Sequence, residues 1–160
     1  MLTKPKKSLG QNFLIDKNIL QKIVNIISIY KNKEILEIGP GTGNLTHYLV
    51  EKNPKKIFVV EKDSKLSFFL NEKFKDKINI INEDVLKISE NLISKQKLIV
   101  FGNLPYNIST KILSKWIIST NKSFWFSKLI LMFQKEVADR IISEINTSDY
   151  GRLSILSNWK

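Results

Sequence analysis

The chain contains no cysteine among its 160 residues, which excludes disulfides, thiolate nucleophiles, Cys-ligated zinc and iron–sulfur clusters together. That absence fits a reducing compartment, and the cytoplasm is the expected location. Histidine occurs once, at His47, and no carboxylate pair or His cluster has ligand spacing, so no metal site is expected. Arginine is nearly missing: 24 of the 26 basic residues are Lys, leaving only Arg140 and Arg152. The longest apolar run is Leu129 to Phe133, far below the roughly 18 residues of a membrane span. The opening MLTKPKK has no apolar core of a secretory leader. Four Pro and six Gly leave no low-complexity tract, and no repeat is visible.

What is present describes a globular domain of ordinary composition, 42% hydrophobic and 26% charged. A chain of this size buries roughly 68–70% of its unfolded surface and needs no staple. The net charge of +11 favours polyanionic partners. Codon bias is the plain alternative, because Lys, Ile (24) and Asn (15) are all A/T-rich in codon use. The charge is unevenly spread: residues 1–33 carry a net +6.

Residues 3–10 resemble an extended basic arm, after which Asp16 suits the N-cap of a helix burying Ile19, Leu20, Ile23, Ile26 and Ile27. Short β-branched runs then alternate with helical stretches. Strands are expected at Glu34–Ile38, Ile57–Val60, Ile78–Ile81, Leu98–Phe101 and Leu129–Phe133. Helices are expected at Leu45–Lys52, Lys65–Lys73, Thr110–Ser119 and Lys135–Glu144, with a loop and short helix over Val85–Lys97. The tail Leu153–Trp159 suggests the start of a sixth strand. Strands apolar on both faces and separated by helices imply an α/β, doubly wound, mostly parallel sheet of Rossmann-like type.

Between the first strand and its helix lies Gly39-Pro40-Gly41-Thr42-Gly43, where glycine lets backbone approach a ligand. The spacing is GxGxG, neither the GxGxxG of dinucleotide sites nor a P-loop. Glu61 ends the second strand, where doubly wound folds place an acid on ribose hydroxyls; a solvated strand end is its plain alternative. Asp84 ends the third strand and could accept from an adenine amine, or simply cap the next segment. Gly39, Gly41, Glu61 and Asp84 together outline a nucleoside pocket whose natural occupant is S-adenosylmethionine.

The fourth strand runs into Asn103-Leu104-Pro105-Tyr106, which matches the [Asn/Asp]-x-Pro-[Tyr/Phe] motif of methyltransferases acting on conjugated amines. An adenine N6 amine is a poor nucleophile because its lone pair is delocalised into the ring. Asn103 Oδ1 and the Leu104 carbonyl can accept both N6–H bonds and favour a pyramidal nitrogen. Pro105 stiffens the loop, and Tyr106 offers a face for a flipped base, worth about 1–3 kcal/mol. The missing cysteine matters again here, since C5 methylation of a pyrimidine normally uses a thiolate. An exocyclic amine is the preferred acceptor.

The segments KSLGQNFL (7–14), LEIGPGTGNLT (36–46), GNLPYNIST (102–110), FQKEVADRI (133–141) and YGRLS (150–154) resemble, in order and spacing, the bacterial small-subunit ribosomal RNA adenine N6,N6-dimethyltransferases. The resemblance implies that two adjacent adenines in a hairpin loop near the 3′ end of small-subunit rRNA become N6,N6-dimethyladenosine. It puts cofactor contacts on Asn12, Leu14, Gly39, Glu61, Asp84 and Asn103, and the target adenine on Asn103 to Tyr106. Residues 1–15 would then be an arm folding over the cofactor, with Lys4, Lys6 and Lys7 toward RNA, and 16–160 the methyltransferase domain. The expected partner is the immature small ribosomal subunit, met by a monomer without membrane attachment. Family members continue into a strand hairpin and a small helical domain, so the chain is expected to stop short of these and to leave a sheet edge unfinished.

Other readings stay open. Large-subunit adenine methyltransferases of the macrolide-resistance type share an Asn-x-Pro-Tyr loop, and a non-catalytic rRNA-binding assembly factor could use the same fold. His47 is expected on a surface, Phe124-Trp125-Phe126 in the core, and Arg140 either in solvent or on a phosphate.

Overall fold

A computed structural model describes residues 12–28, 30–119 and 123–158. Lys4, Lys6, Lys7 and most of the expected arm lie outside the described residues. Helix α1 (Lys17–Asn25) starts where Asp16 accepts from the backbone N–H groups of Asn18 at 2.8 Å and Ile19 at 3.2 Å. It buries Leu20, Ile23 and Val24, while Ile26 lies exposed on the turn that ends it.

The rest alternates as the periodicity requires. Strands β1 (Glu34–Ile38), β2 (Lys56–Val60), β3 (Asn79–Ile81), β4 (Leu98–Asn103) and β5 (Phe126–Met132) form one parallel sheet in the order β3-β2-β1-β4-β5. Helices α2 (Asn44–Glu51), α3 (Ser64–Phe74), α4 (Ser109–Ile118), α5 (Lys135–Ile142) and α6 (Arg152–Asn158) complete the chain. Because side chains alternate along a strand, β1 and β4 feed two cores. Ile35, Ile99 and Phe101 pack with α1, α2 and α3; Leu36, Ile38, Leu98 and Val100 pack with Ile112 and Trp116 of α4.

The chain reverses direction across the sheet between β1 and β4, and open α/β sheets bind ligands outside the strand ends at such a point. Register does the alignment. Ile38 pairs with both Val60 and Gly102, so Gly39, Glu61 and Asn103 leave the sheet side by side.

The tail corrects the expectation of a sixth strand. Residues 152–158 form helix α6, seated on α4 and α5. Leu153 and Leu156 carry helical spacing that a short apolar run does not distinguish from a strand. Packing of buried Ser154, whose hydroxyl donates to the Arg140 carbonyl at 2.6 Å, accompanies the helix. β5 also begins at Phe126, earlier than its apolar run suggested, after a register shift opposite Leu98 and Ile99. Trp125 meets Trp116 edge-on at 5.3 Å, and Trp125 and Phe126 pack, partly buried, against the second core. His47 sits on the surface of α2 with Nε2 3.2 Å from Glu51.

Candidate functional site

Gly39, Gly41 and Gly43 all have positive φ, at 65°, 59° and 76°, a region that only glycine occupies without strain. Two of them also have no room for a side chain. A Cβ on Gly43 would lie 2.5 Å from the Phe74 ring, and one on Gly41 would lie 2.8 Å from Phe13. Gly43 is the N-cap of α2 and supplies no side-chain acceptor to the first-turn N–H groups. The turn is braced from the other side by Lys73, whose Nζ donates to the Thr42 carbonyl at 2.9 Å.

Glu61 is buried at the end of β2 and not the solvated strand end that was its plain alternative. Its Oε1 accepts from the Asp63 N–H at 2.8 Å and its Oε2 from the Gly41 N–H at 3.3 Å. Burial pushes its carboxyl up, and the two backbone donors oppose that shift. Each oxygen keeps a lone pair for a further donor, which a ribose diol can fill. Asp84 has two partners: Oδ2 takes Lys62 Nζ at 2.9 Å and Oδ1 takes the Leu86 N–H at 2.9 Å. The Lys62 bond holds its carboxyl below the usual range. Asp84 is therefore both a turn cap and an ionised acceptor at the strand end.

Asn103 closes β4. Its Nδ2 donates to the Asn12 carbonyl at 2.6 Å, and its Oδ1 has no hydrogen-bond partner among the described residues. Leu104 is buried, and the turn that follows runs from Pro105 to Ile108, closed by the Ile108 N–H on the Pro105 carbonyl at 3.1 Å. Tyr106 stands at the rim, 39% exposed, with its hydroxyl accepting from Asn12 Nδ2 at 2.7 Å. The segment 12–14 is tied down a third time, where Asn44 Nδ2 donates to the Leu14 carbonyl at 2.8 Å.

These residues enclose a cleft of about 150 Å³ lined by Asn12, Gly39, Gly41, Glu61, Asp84, Asn103 and Pro105. Leu14 does not line it; it borders an adjoining hollow of about 20 Å³ that also touches Asn12, Gly39 and Asn103. That hollow contains a residue the motif reading passed over. Glu37, two positions before Gly39, is fully buried with Oε2 unpartnered among the described residues. Burial, with the neighbouring Glu61 charge, pushes its carboxyl up to about 8. A carboxylate between Leu36 and Ile38, in the interior of a central strand, was the available signal. Phe13, which packs on Gly41, lies within QNFL but had no role attached to it. Arg140 is on the exposed side of α5, away from the cleft lining. Among the described residues no group of His, Cys, Asp and Glu could hold a metal.

A sequence profile of the family described as ribosomal RNA adenine dimethylase matches residues 2–159. The chain belongs to that family. It is 68% identical, over its whole length and 61% of the relative, to ribosomal RNA small subunit methyltransferase A of Pelagibacter ubique (strain HTCC1062). The chain thus spans about three fifths of the length of the curated relatives it matches. A dimethyladenosine transferase from Plasmodium falciparum has a similar solved structure, with TM-score 0.77 and 31% identity over 91% of this chain and 51% of that one. The 23S rRNA methyltransferase ErmE is similar at TM-score 0.71 and 26% identity, over 91% of this chain and 55% of that one. Within the dimethylase family fold, the glycine turn, Glu61, Asp84 and Asn103 all stand at one carboxyl edge of the sheet. The segments between them supply helices and core.

Proposed function

We propose that the chain binds S-adenosylmethionine in the cleft and transfers methyl groups to N6 of two adjacent adenines in a hairpin loop near the 3′ end of small-subunit rRNA. The product is N6,N6-dimethyladenosine, and the partner is the immature small ribosomal subunit. The observation that carries this reading is Asn103, at the junction of the cleft and Tyr106, with its amide nitrogen tied to Asn12 and its oxygen without a partner among the described residues.

The residues present fit the cofactor. Glycines with positive φ leave backbone exposed at the turn, buried Glu61 suits a ribose diol, and ionised Asp84 suits an exocyclic amine. When bound, the cofactor supplies an electrophilic methyl on a sulfonium. The chain's own share is to strip water from the amine, accept its two N–H bonds at Asn103 Oδ1 and the Leu104 carbonyl, and hold the base against Tyr106. Positioning of this kind supplies most of the rate in a transfer that needs no strong base. Residues 1–15 serve as the arm over the cofactor and 16–160 as the transferase domain, with Lys4, Lys6, Lys7 and Arg140 toward RNA. The enzyme acts as a cytoplasmic monomer; no helix among the described residues is long and apolar enough to cross a membrane.

A second reading, methylation of large-subunit rRNA, is favoured by the likeness to ErmE. Mass spectrometry of rRNA, after incubation of unmethylated ribosomal subunits with the protein and S-adenosylmethionine, separates the two. Two dimethyladenosines in small-subunit rRNA are expected; methyl groups in large-subunit rRNA, or none in either, would overturn the proposal.

A further inference from the structure

The glycine turn is approached from two sides. The cleft and Phe13 lie on one, and the last turn of α3 lies on the other. Leu70, Lys73 and Phe74 share one face of that helix by their spacing. Leu70 and Phe74 occupy the space where a Cβ on Gly43 would stand. Lys73 gives its ammonium to the Thr42 carbonyl at 2.9 Å, across 31 positions of sequence.

The ammonium is held where it is. Lys73 Nζ stands 5.0 Å from the centroid of the Phe74 ring and 5.7 Å from that of Phe69, both within reach of cation–π attraction. Partial burial lowers its pKa from the usual lysine value. It pairs with no carboxylate among the described residues, so its charge is directed at one backbone oxygen. Hydrogen bonds from a charged donor are the stronger kind.

That bond fixes a peptide plane. The Thr42 oxygen and the Gly43 N–H belong to one peptide unit, and the Gly43 N–H closes on the Pro40 carbonyl at 2.9 Å. Both ends of the unit are therefore held. Glycine takes either sign of φ at little cost and loses much freedom when ordered, so a turn with glycines at 39, 41 and 43 is expensive to fix. Ordering it in the folded protein, ahead of any ligand, removes that cost from binding. Lys73 does not line the cleft, whereas Thr42 borders the adjoining hollow beside Asn12, Gly39 and Asn103. Any influence of Lys73 on a bound ligand thus passes through the turn.

We propose that Lys73 is a positioning residue for the cofactor: by clamping the Thr42–Gly43 peptide from behind, it orders the glycine turn before S-adenosylmethionine arrives and so raises its affinity. The inference rests on the cofactor reading given above. It adds a residue outside the cleft, in none of the five segments that carry the family resemblance.

The test is calorimetric titration of S-adenosylmethionine into the 160-residue protein and its Lys73→Met and Lys73→Arg variants. Thermal unfolding and amide hydrogen exchange of the cofactor-free proteins run alongside. Lys73→Met keeps an apolar stem beside the two rings and loses the donor. Its Kd is expected to rise about tenfold, or about 1.4 kcal/mol. Exchange of the Gly43 N–H should quicken by a similar factor without cofactor and return to the wild-type rate at saturation. Lys73→Arg still carries a charged donor and should bring Kd back to within about threefold of wild type. A contact that serves the fold alone would lower Tm and leave Kd and Gly43 exchange, read well below Tm, at wild-type values. That result would overturn the inference, as would an Arg variant as weak as the Met variant, and both leave the cofactor reading standing. A wild-type protein that binds no S-adenosylmethionine would remove that reading and this inference with it.

Discussion

The side-chain amide of Asn12 donates to the hydroxyl of Tyr106 at 2.7 Å, joining residues 94 positions apart across the mouth of the cleft. The Asn12 carbonyl also receives Asn103 Nδ2 at 2.6 Å. One arm residue is thus bonded to both the proposed amine acceptor and the proposed stacking ring. Tyr106→Phe keeps the ring and loses a bond worth about 0.5–1.5 kcal/mol, so a fewfold rise in KM for RNA is expected. Tyr106→Ala loses the stacking face as well and is expected to weaken RNA engagement by at least tenfold more. Separate titrations of RNA and cofactor check this, and equal losses in both would contradict it.

Asn103→Ala removes the open acceptor and the tie to the arm together. Formation of dimethyladenosine is expected to fall below detection, with RNA binding within a fewfold of wild type. Radiolabelled methyl transfer and a binding titration on the same preparation decide the point. Methylation at the wild-type rate would rule out the acceptor role.

The glycine turn offers a contrast between neighbouring positions. Gly43→Ala forces a Cβ to 2.5 Å from Phe74 and 2.8 Å from Leu70, both in the core, at a φ of 76°. Strain and overpacking together are expected to cost about 2–4 kcal/mol, seen as a drop in Tm. Gly41→Ala has the Phe13 ring, outside the buried core, as its nearest contact, at a φ of 59°. It should lower cofactor affinity more than it lowers Tm.

Glu37 gives the protein a pH signature. Its carboxyl titrates near 8 when folded and near 4.3 when unfolded. Between those values the native state holds a proton that the unfolded state has released, so stability contributed by this group falls as pH rises and is lost by the time pH passes the folded value. Glu37→Gln stays neutral throughout. Denaturant unfolding should show the variant gaining on wild type by up to about 1.4 kcal/mol per pH unit between pH 5 and 8. A pH-independent difference would mean that Glu37 is ionised in the fold.

Glu90 ties the crossover after β3 to α4. Its Oε1 accepts from Lys115 Nζ at 2.8 Å and from Trp116 Nε1 at 2.6 Å, with the carboxylate buried. Lys115 also donates to the carbonyl of Ile88 at 2.8 Å. Glu90→Ala leaves the Lys115 ammonium with backbone carbonyls alone and takes the carboxylate from the Trp116 indole N–H, and about 3–5 kcal/mol of stability should be lost. Urea unfolding measures it, and a loss below 1 kcal/mol would mean that water replaces the carboxylate without penalty.

Much of this site was legible in the residues because its parts are local. Gly39 to Gly43 declare a backbone conformation, Glu61 and Asp84 declare strand ends, and Asn103 to Tyr106 declare a stiff acceptor loop. Glu37 was harder to read, since its burial depends on packing from α2 across the sheet. Residues 152–158 were misjudged as a strand because a short apolar run has no period long enough to discriminate, and packing on α4 and α5 made them helical.

The sequence by itself determined the alternation of strands and helices, the glycine turn and the order of the family's segments, all set by near-neighbour sterics and hydrophobic period. Only the tertiary structure decided that Asn12 bonds Tyr106, that Glu37 is buried with Oε2 unpartnered among the described residues, and that Arg140 and Arg152 share a groove. Each of those depends on which distant surfaces the sheet register and Ser154 bring together, and no local rule of spacing contains that information.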